Sequence, residues 1–205
     1  MENNTYLYGA SGHCKVILDI LEQTNIAISC ILDDNKMLKS ILDKTVQSAS
    51  DFHIKSNENL LISIGNNKVR KEISNRINAN YITAIHPKAV ISSNSFIGEG
   101  SVVMAGSIIN SDVVVGKHCI INSGAVVEHD CKIHDFAHIS PNASLAGDVE
   151  IGEGTQVGIG AVVIQGIKIG KWAMIGAGSV VLKNVPDYAV VVGNPGKVIK
   201  YTNSL

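Results

Sequence analysis

The segment Glu128-His129-Asp130 sets a histidine between two carboxylates. A carboxylate beside an imidazole raises its basicity and orients it, which is how a general base for work near neutral pH is built. His118, His134 and His138 fall in the same stretch. A second candidate lies near the start of the chain, where Gly9-Ala10-Ser11-Gly12-His13 follows the apolar run Thr5 to Tyr8 and precedes Lys15 to Leu21 at helical spacing. A glycine turn that opens a helix can offer its N–H groups to a phosphate. Gly9 to Gly12 is neither the full GxGxxG dinucleotide fingerprint nor a P-loop ending in GK[ST], so a hydride cofactor and ATP are disfavoured. His13 meets the positive end of the helix dipole and is expected to stay neutral. The plainer readings, a tight turn with a capping histidine and a solvated polar face, remain open on residue types alone.

The elements that must carry these residues have two grammars. From Ile85 to Val181 every sixth residue is aliphatic, 17 positions without a miss. Four residues after most of these anchors stands a small side chain, as in Ala89, Ser101, Cys119, Ala125, Cys131, Ala143, Ala161 and Ser179. Neither the 3.6 period of a helix nor the 2 of a hairpin sheet sustains a strict six, and hexapeptide β-helix repeats have this period. Two inward positions per hexad, one large and one small, describe a tight prism with little room for rings, which suits the nine aromatic residues of the chain. The other positions face outward, so the histidines of the repeat are expected to be available for a site, while Cys131 is expected in the core. From Val181 to Lys200 the six-step breaks around Pro186 and Gly193-Asn194-Pro195-Gly196, as a cap over the end of the prism would require.

Residues 1–82 read instead as alternating strands and helices. After the first strand, turn and helix come a strand over Ala27 to Leu32 ending at Asp33-Asp34, a polar connection, a strand over Leu60 to Ile64 ending at Gly65, and a helix over Lys68 to Ile77. This predicts a small parallel α/β sheet with its ligand site beyond the carboxyl ends of the strands, where Gly9 to His13, Asp33-Asp34 and Gly65 lie. The expected organisation is an α/β domain over 1–82, a β-helix over 83–187 and a cap over 188–205.

Composition narrows the function. The net charge of -1 gives no basic excess to attract nucleic acid or anionic lipid. With 45% hydrophobic and 17% charged residues the chain is not disordered, and no apolar stretch approaches the roughly 20 residues of a membrane span. The opening MENNTYLYGA does not read as a secretory leader, so a cytoplasmic location is expected, with the four cysteines reduced and structural.

The repeat resembles the hexapeptide-repeat acyltransferases, which implies a left-handed parallel β-helix with three hexads per 18-residue coil. Some relatives of that kind, the gamma-class carbonic anhydrases, hold zinc with three histidines, and His129 and His134 invite the comparison. A third histidine on the same face would lie a whole number of coils from one of these two, and none of His86, His118 and His138 does. A metal is therefore not expected, since catalytic zinc needs about three protein ligands.

The whole chain resembles the bacterial sugar acetyltransferases of the NeuD/PglD type. The segments YGASGHCKVILDIL, ILDD, INSGAVVEHDCKIHDFAHISPNASLAGDVEIGEG and VVVGNPGKVIK carry the match. The resemblance implies acetyl-CoA as co-substrate, with His129 as the base and Asp130 as the acid that enhances it. It puts the nucleotide sugar on Ser11, Gly12, His13, Asp33, Asp34 and Gly65, with Asn122 and Glu128 near the acceptor. Acetyl-CoA falls on His138, Gly147, Ile159 and Ala177, and the assembly is a homotrimer. The implied reaction is N-acetylation of a nucleotide-linked 4-amino-4,6-dideoxy sugar, UDP-linked by preference, in glycan or surface-polysaccharide biosynthesis. O-acetylation of sialic acid is the alternative, and a metal-binding or non-catalytic β-helix the remote one.

Overall fold

The computed structural model describes residues 4–202. Residues 1–3 and 203–205 lie outside the described residues, and with them the start of the segment read for a leader and the end of the 188–205 cap.

The first domain is a sheet of six strands in the order β3-β4-β2-β1-β5-β6. Its members are β1 (Thr5–Tyr8), β2 (Cys30–Asp33), β3 (Ser40–Ile41), β4 (Lys44–Ser48), β5 (Asn59–Ile62) and β6 (Asn80–Tyr81). The helices are α1 (Gly12–Gln23) and α2 (Asn67–Arg76). All pairs are parallel except the β3/β4 hairpin. Central β1 is buried on both faces, as a parallel strand between two layers must be. Leu7, Ile31 and Leu61 pack with Cys14, Ile17 and Leu21 of α1, and Tyr6, Tyr8, Leu32 and Leu60 pack with Ile73 of α2. Two expectations change. The second strand starts at Cys30 rather than Ala27, because the ladder is entered only where Ser29 N–H donates to the Thr5 carbonyl. The polar connection holds the β3/β4 hairpin, whose second strand extends the sheet beside β2.

Beyond residue 83 the chain winds into a parallel β-helix of two-residue strands. The first face carries Ala84–Ile85, Val102–Val103, Ile120–Ile121, His138–Ile139, Gln156–Val157 and Met174–Ile175. The second runs from Val90–Ile91 to Val180–Val181 and the third from Phe96–Ile97 to Lys168–Ile169. Each strand pairs with the one 18 residues on, as Ile121 with Ile139. The large and small inward positions are fully buried over most of the prism, Cys131 and Ala161 among them. From Gly100 to Gly178 every sixth residue turns a corner in the left-handed region, which glycine adopts freely and Asn and Asp more readily than most. Gly124, Asn142 and Gly160 turn one corner, and Asp112, Asp130, Asp148 and Gly166 another. After Val181 the strand Ala189–Val192 adds a parallel rung to the first face and Lys197–Tyr201 folds back on it. Val185, Ala189 and Val191 complete the core at that end.

The first face is where the domains meet. Ala84, Val102, Ile120 and His138 point outward from its four lowest rungs and are buried, and the apolar ones join α1 in a single cluster. This corrects one expectation, since His118 and His138 leave the prism outward yet are covered by the α/β domain. Val90 and Val162 on the second face stay exposed.

Candidate active site

His129 stands on the corner that joins the second face to the third, exposed in the single chain. The next residue, Asp130, has φ 63°, a conformation in which Asp is tolerated. Its Oδ2 lies 2.7 Å from His129 Nδ1. An ionised carboxylate only accepts, so Nδ1 carries the proton and Nε2 keeps its lone pair. That hydrogen bond, more than the charges of Asp130, Glu128 and Asp148, raises the pKa of His129 above its ordinary value. One coil further on lies Gly147. A Cβ there would fall 2.5 Å from His129 Cε1 and 2.7 Å from Nε2, so the ring lies over a backbone that only glycine leaves bare. Glu128 is held from the coil below by Asn110 Nδ2 at 2.8 Å.

The second group forms between the domains. Ser11 caps α1 without a side-chain hydrogen bond, and no acidic residue occupies its first turn. Gly12 and Gly65 each leave open space where a Cβ would stand. Asn122 Oδ1 accepts from Ser123 N–H at 2.8 Å, which turns its Nδ2 toward His138 Nε2 at 3.0 Å. His138 Nε2 therefore accepts, and the neutral ring carries its proton on Nδ1. Among the described residues that N–H is buried without a hydrogen-bond partner, as are His13 Nε2, His118 Nδ1 and Ser140 Oγ. Burial, with help from Arg70 and His13, holds His138 at a pKa of about 3. Burial and Arg70 hold His13 at about 4, which keeps it neutral at the start of α1.

Arg70 went unremarked in the sequence. It is fully buried on α2 and has no carboxylate partner among the described residues. Its guanidinium donates to the carbonyls of Ile64, Gly65, His118 and Phe136 and to Asn67 Oδ1, which ties the Gly65 loop to the β-helix. Burial lowers its pKa to about 10, leaving it charged at neutral pH. The available signal was its spacing, three residues before Ile73 on the buried stripe of α2. Asn67 Nδ2 adds a bond to the Gly154 carbonyl, and Lys71 pairs with Glu153.

The predicted residues thus fall in three places. His129, Asp130, Glu128 and Gly147 share one corner. Ser11, Gly12, His13, Gly65, Asn122 and His138 surround the domain junction, so His138 stands with the residues assigned to the sugar. Ile159 and Ala177 are exposed on the corner between the first and second faces. Of the acidic pair, Asp33 accepts from Ala10 N–H at 2.7 Å and Asn35 N–H at 2.8 Å, which braces the glycine turn, while Asp34 points to Tyr8 and Arg76. Among the described residues no group of three or more His, Cys, Asp or Glu could hold a metal ion, and no helix is long and apolar enough to cross a membrane.

Two family models match the chain, the PglD N-terminal domain over residues 4–77 and the bacterial transferase hexapeptide repeats over 94–129 and 148–183. A mutant of GDP-perosamine N-acetyltransferase from Caulobacter crescentus, solved with CoA and GDP-perosamine, is 32% identical, with 98% of each chain covered and a TM-score of 0.90. The acetyltransferase domain of PglB from Neisseria gonorrhoeae, solved with acetyl coenzyme A, is 30% identical over 97% of this chain and 100% of that one, with a TM-score of 0.89. UDP-N-acetylbacillosamine N-acetyltransferase of Bacillus subtilis is 40% identical over 118 residues, so the match spans about half of this chain and 51% of that relative.

Proposed function

The chain belongs to the hexapeptide-repeat sugar acetyltransferases that carry a PglD-type N-terminal domain, and on that premise we propose that it transfers the acetyl group of acetyl-CoA to the amino group of a nucleotide-linked amino sugar. The observation that carries the reading is the His129–Asp130 pair, whose free Nε2 lies over the bare backbone of Gly147. In this mechanism the acceptor nitrogen attacks the thioester carbonyl and gives a proton to His129 Nε2. The C–N bond forms, the C–S bond breaks and coenzyme A leaves as thiolate. No nucleophilic side chain is required, and the four cysteines are buried. The Gly147 N–H, without an acceptor among the described residues, is the candidate donor to the developing oxyanion.

In this reading Ser11, Gly12, His13, Asp34, Gly65 and Asn122 bind the nucleotide sugar, with Asp33 holding the turn. Gly147, Ile159, Ala177 and His138 face the coenzyme. The base corner and the domain junction lie on opposite sides of the second face, which supports a site completed by a second copy. That face presents Val90, Ile108, Val126, Val162 and Val180 outward, Val90 and Val162 exposed and the others half-buried in the single chain, an apolar strip suited to a neighbouring prism. A C3 homotrimer closes such contacts and gives three sites.

The test is to incubate the protein with acetyl-CoA and a panel of UDP-, dTDP- and GDP-linked 4-amino sugars, with free sialic acid alongside, following thiol release. Turnover with a nucleotide amino sugar is expected, the UDP and GDP forms first, since the relatives from B. subtilis and C. crescentus are named for such compounds. Turnover with sialic acid alone would make it an O-acetyltransferase. No thiol release with any acceptor would overturn the enzymatic reading.

A further inference from the structure

Arg70 is 1% exposed, and each of its five N–H groups is spent. Nε donates to the His118 carbonyl at 2.7 Å and Nη2 to the Phe136 carbonyl at 2.9 Å. These two carbonyls stand one coil apart, at the corner from which the chain enters the strands Ile120–Ile121 and His138–Ile139. Nη1 reaches the other way, to the carbonyls of Ile64 at 3.0 Å and Gly65 at 3.3 Å, and Asn67 Oδ1 takes the last N–H at 2.8 Å. One planar fork thus spans two coils of the prism and the loop after β5, a reach that the three donors of an ammonium cannot match.

The ring of His138 lies between the two parts that Arg70 joins. Its strand leaves the clamped corner two residues after Phe136, and the Gly65 carbonyl faces it from the loop. Asn122 fixes Nε2 from the coil below, so the proton sits on Nδ1. Gly65 offers the backbone acceptor for that proton, yet the bond is not closed, and Nδ1 stays buried and unpaired among the described residues. A buried donor left open is costly, which marks it as a group held for a ligand. Nη1 anchors the Gly65 carbonyl together with its neighbour at Ile64, so the loop cannot swing in and spend the histidine's N–H on itself.

We propose that Arg70 is a positioning residue for the acetyl transfer, which keeps the Gly65 loop clear of His138 and so leaves the Nδ1–H as a donor reserved for the bound substrates. The inference rests on the acetyltransferase reading above and adds to it a buried residue that acts only through another side chain.

Two measurements on the full chain separate this role from a merely structural one. Imidazole nitrogen NMR, with the His138 signals identified by their loss in His138→Gln, reads the ring without any substrate. We expect a single Nδ1–H tautomer in the wild type, and in Arg70→Lys a shifted Nδ1–H signal that reports a hydrogen bond to the loop. Thiol release then tests the consequence. Arg70→Lys should lower kcat by about 10²-fold, the cost of misplacing a group by about an ångström. It should have almost no further effect in a chain that already carries His138→Gln, since residues that act through one group are not additive. An unchanged His138 signal, or losses that multiply in the double variant, overturns the role. Should Arg70→Lys not fold, Asn67→Ala removes one of the five acceptors and is read in the same way, with a smaller loss that again vanishes beside His138→Gln. If the wild type releases no thiol with any acceptor, the acetyltransferase reading fails and the proposed role with it. An NMR difference that persists would then show that the failure lies in that reading and not in the hold on His138.

Discussion

His129 and His138 lie half a coil apart on the same β-helix, yet the molecule treats them in opposite ways. His138 is covered by the α/β domain, and burial with Arg70 nearby holds it neutral at about 3. His129 stands on a bare corner, where Asp130 raises its pKa. The repeat gives both side chains an outward direction, so direction cannot be the cause. What differs is cover and the sign of the nearest charge. A neutral ring with a fixed tautomer is suited to orienting a ligand, whereas one whose pKa has been raised is suited to taking a proton. The contrast suits the domain junction to positioning and the corner to the proton transfer proposed above.

The strongest way to break this contrast is His129→Ala. We expect kcat to fall by about 10² to 10⁴, the worth of a positioned general base, in a protein that melts as the wild type does. A variant keeping more than about half of wild-type kcat would remove His129 from the role. Next comes Gly147→Ala. Gly147 is not among the positive-φ glycines, so alanine fits the backbone, but its Cβ displaces the exposed imidazole. We expect a loss in kcat of about 10² from misplacement with a melting temperature within about 3 °C of wild type. Normal turnover would mean that the observed pose of His129 is not the working one.

Asp130→Asn sharpens the comparison with less damage, since asparagine also adopts the left-handed corner. The base works unprotonated, so the acidic limb of kcat/KM follows its pKa. Loss of the carboxylate should move that limb to lower pH and cost about tenfold or less in rate. A limb that does not move would exclude Asp130. The smallest effect belongs to the covered side. His13 and His118 are held at about 4 and His138 at about 3. Between these values and the ordinary value of about 6.5, the unfolded chain binds protons that the folded one refuses, so stability falls as pH drops. His118 stacks on Phe136 at 5.2 Å, and aromatic Phe136 and Trp172 occupy the same left-handed corner. His118→Phe should therefore keep the fold and flatten the decline of melting temperature from pH 6.5 to 4.5. An unaltered slope would show that His118 does not titrate this way.

The six-residue period made the β-helix legible, because the inward positions recur without regard to anything outside the prism. The α/β sheet was legible where its strands are apolar, at Thr5 to Tyr8 and Leu60 to Ile62. Its hairpin was not, since Lys44 to Ser48 is a largely polar strand with Val46 as its buried residue. The Glu128-His129-Asp130 constellation showed in sequence because its partners are adjacent. The neutrality of His118 and His138 depends on a domain contact that no local spacing announces, as does the role of Arg70, whose acceptors lie up to 66 residues away.

Strict pairing at 18-residue intervals sets a rule for how this chain can change in length. Six residues deleted from the β-helix would keep every aliphatic anchor pointing inward, so the core would scarcely notice. Everything downstream would move round by one face, and a deletion between Asn110 and Glu128 would carry His129 to a different corner. Only whole coils can be gained or lost without scrambling the outer surface. The prism therefore has two tolerances for insertion and deletion, a six-residue one for folding and an 18-residue one for chemistry, and variants that satisfy the first but not the second should fold well and do nothing.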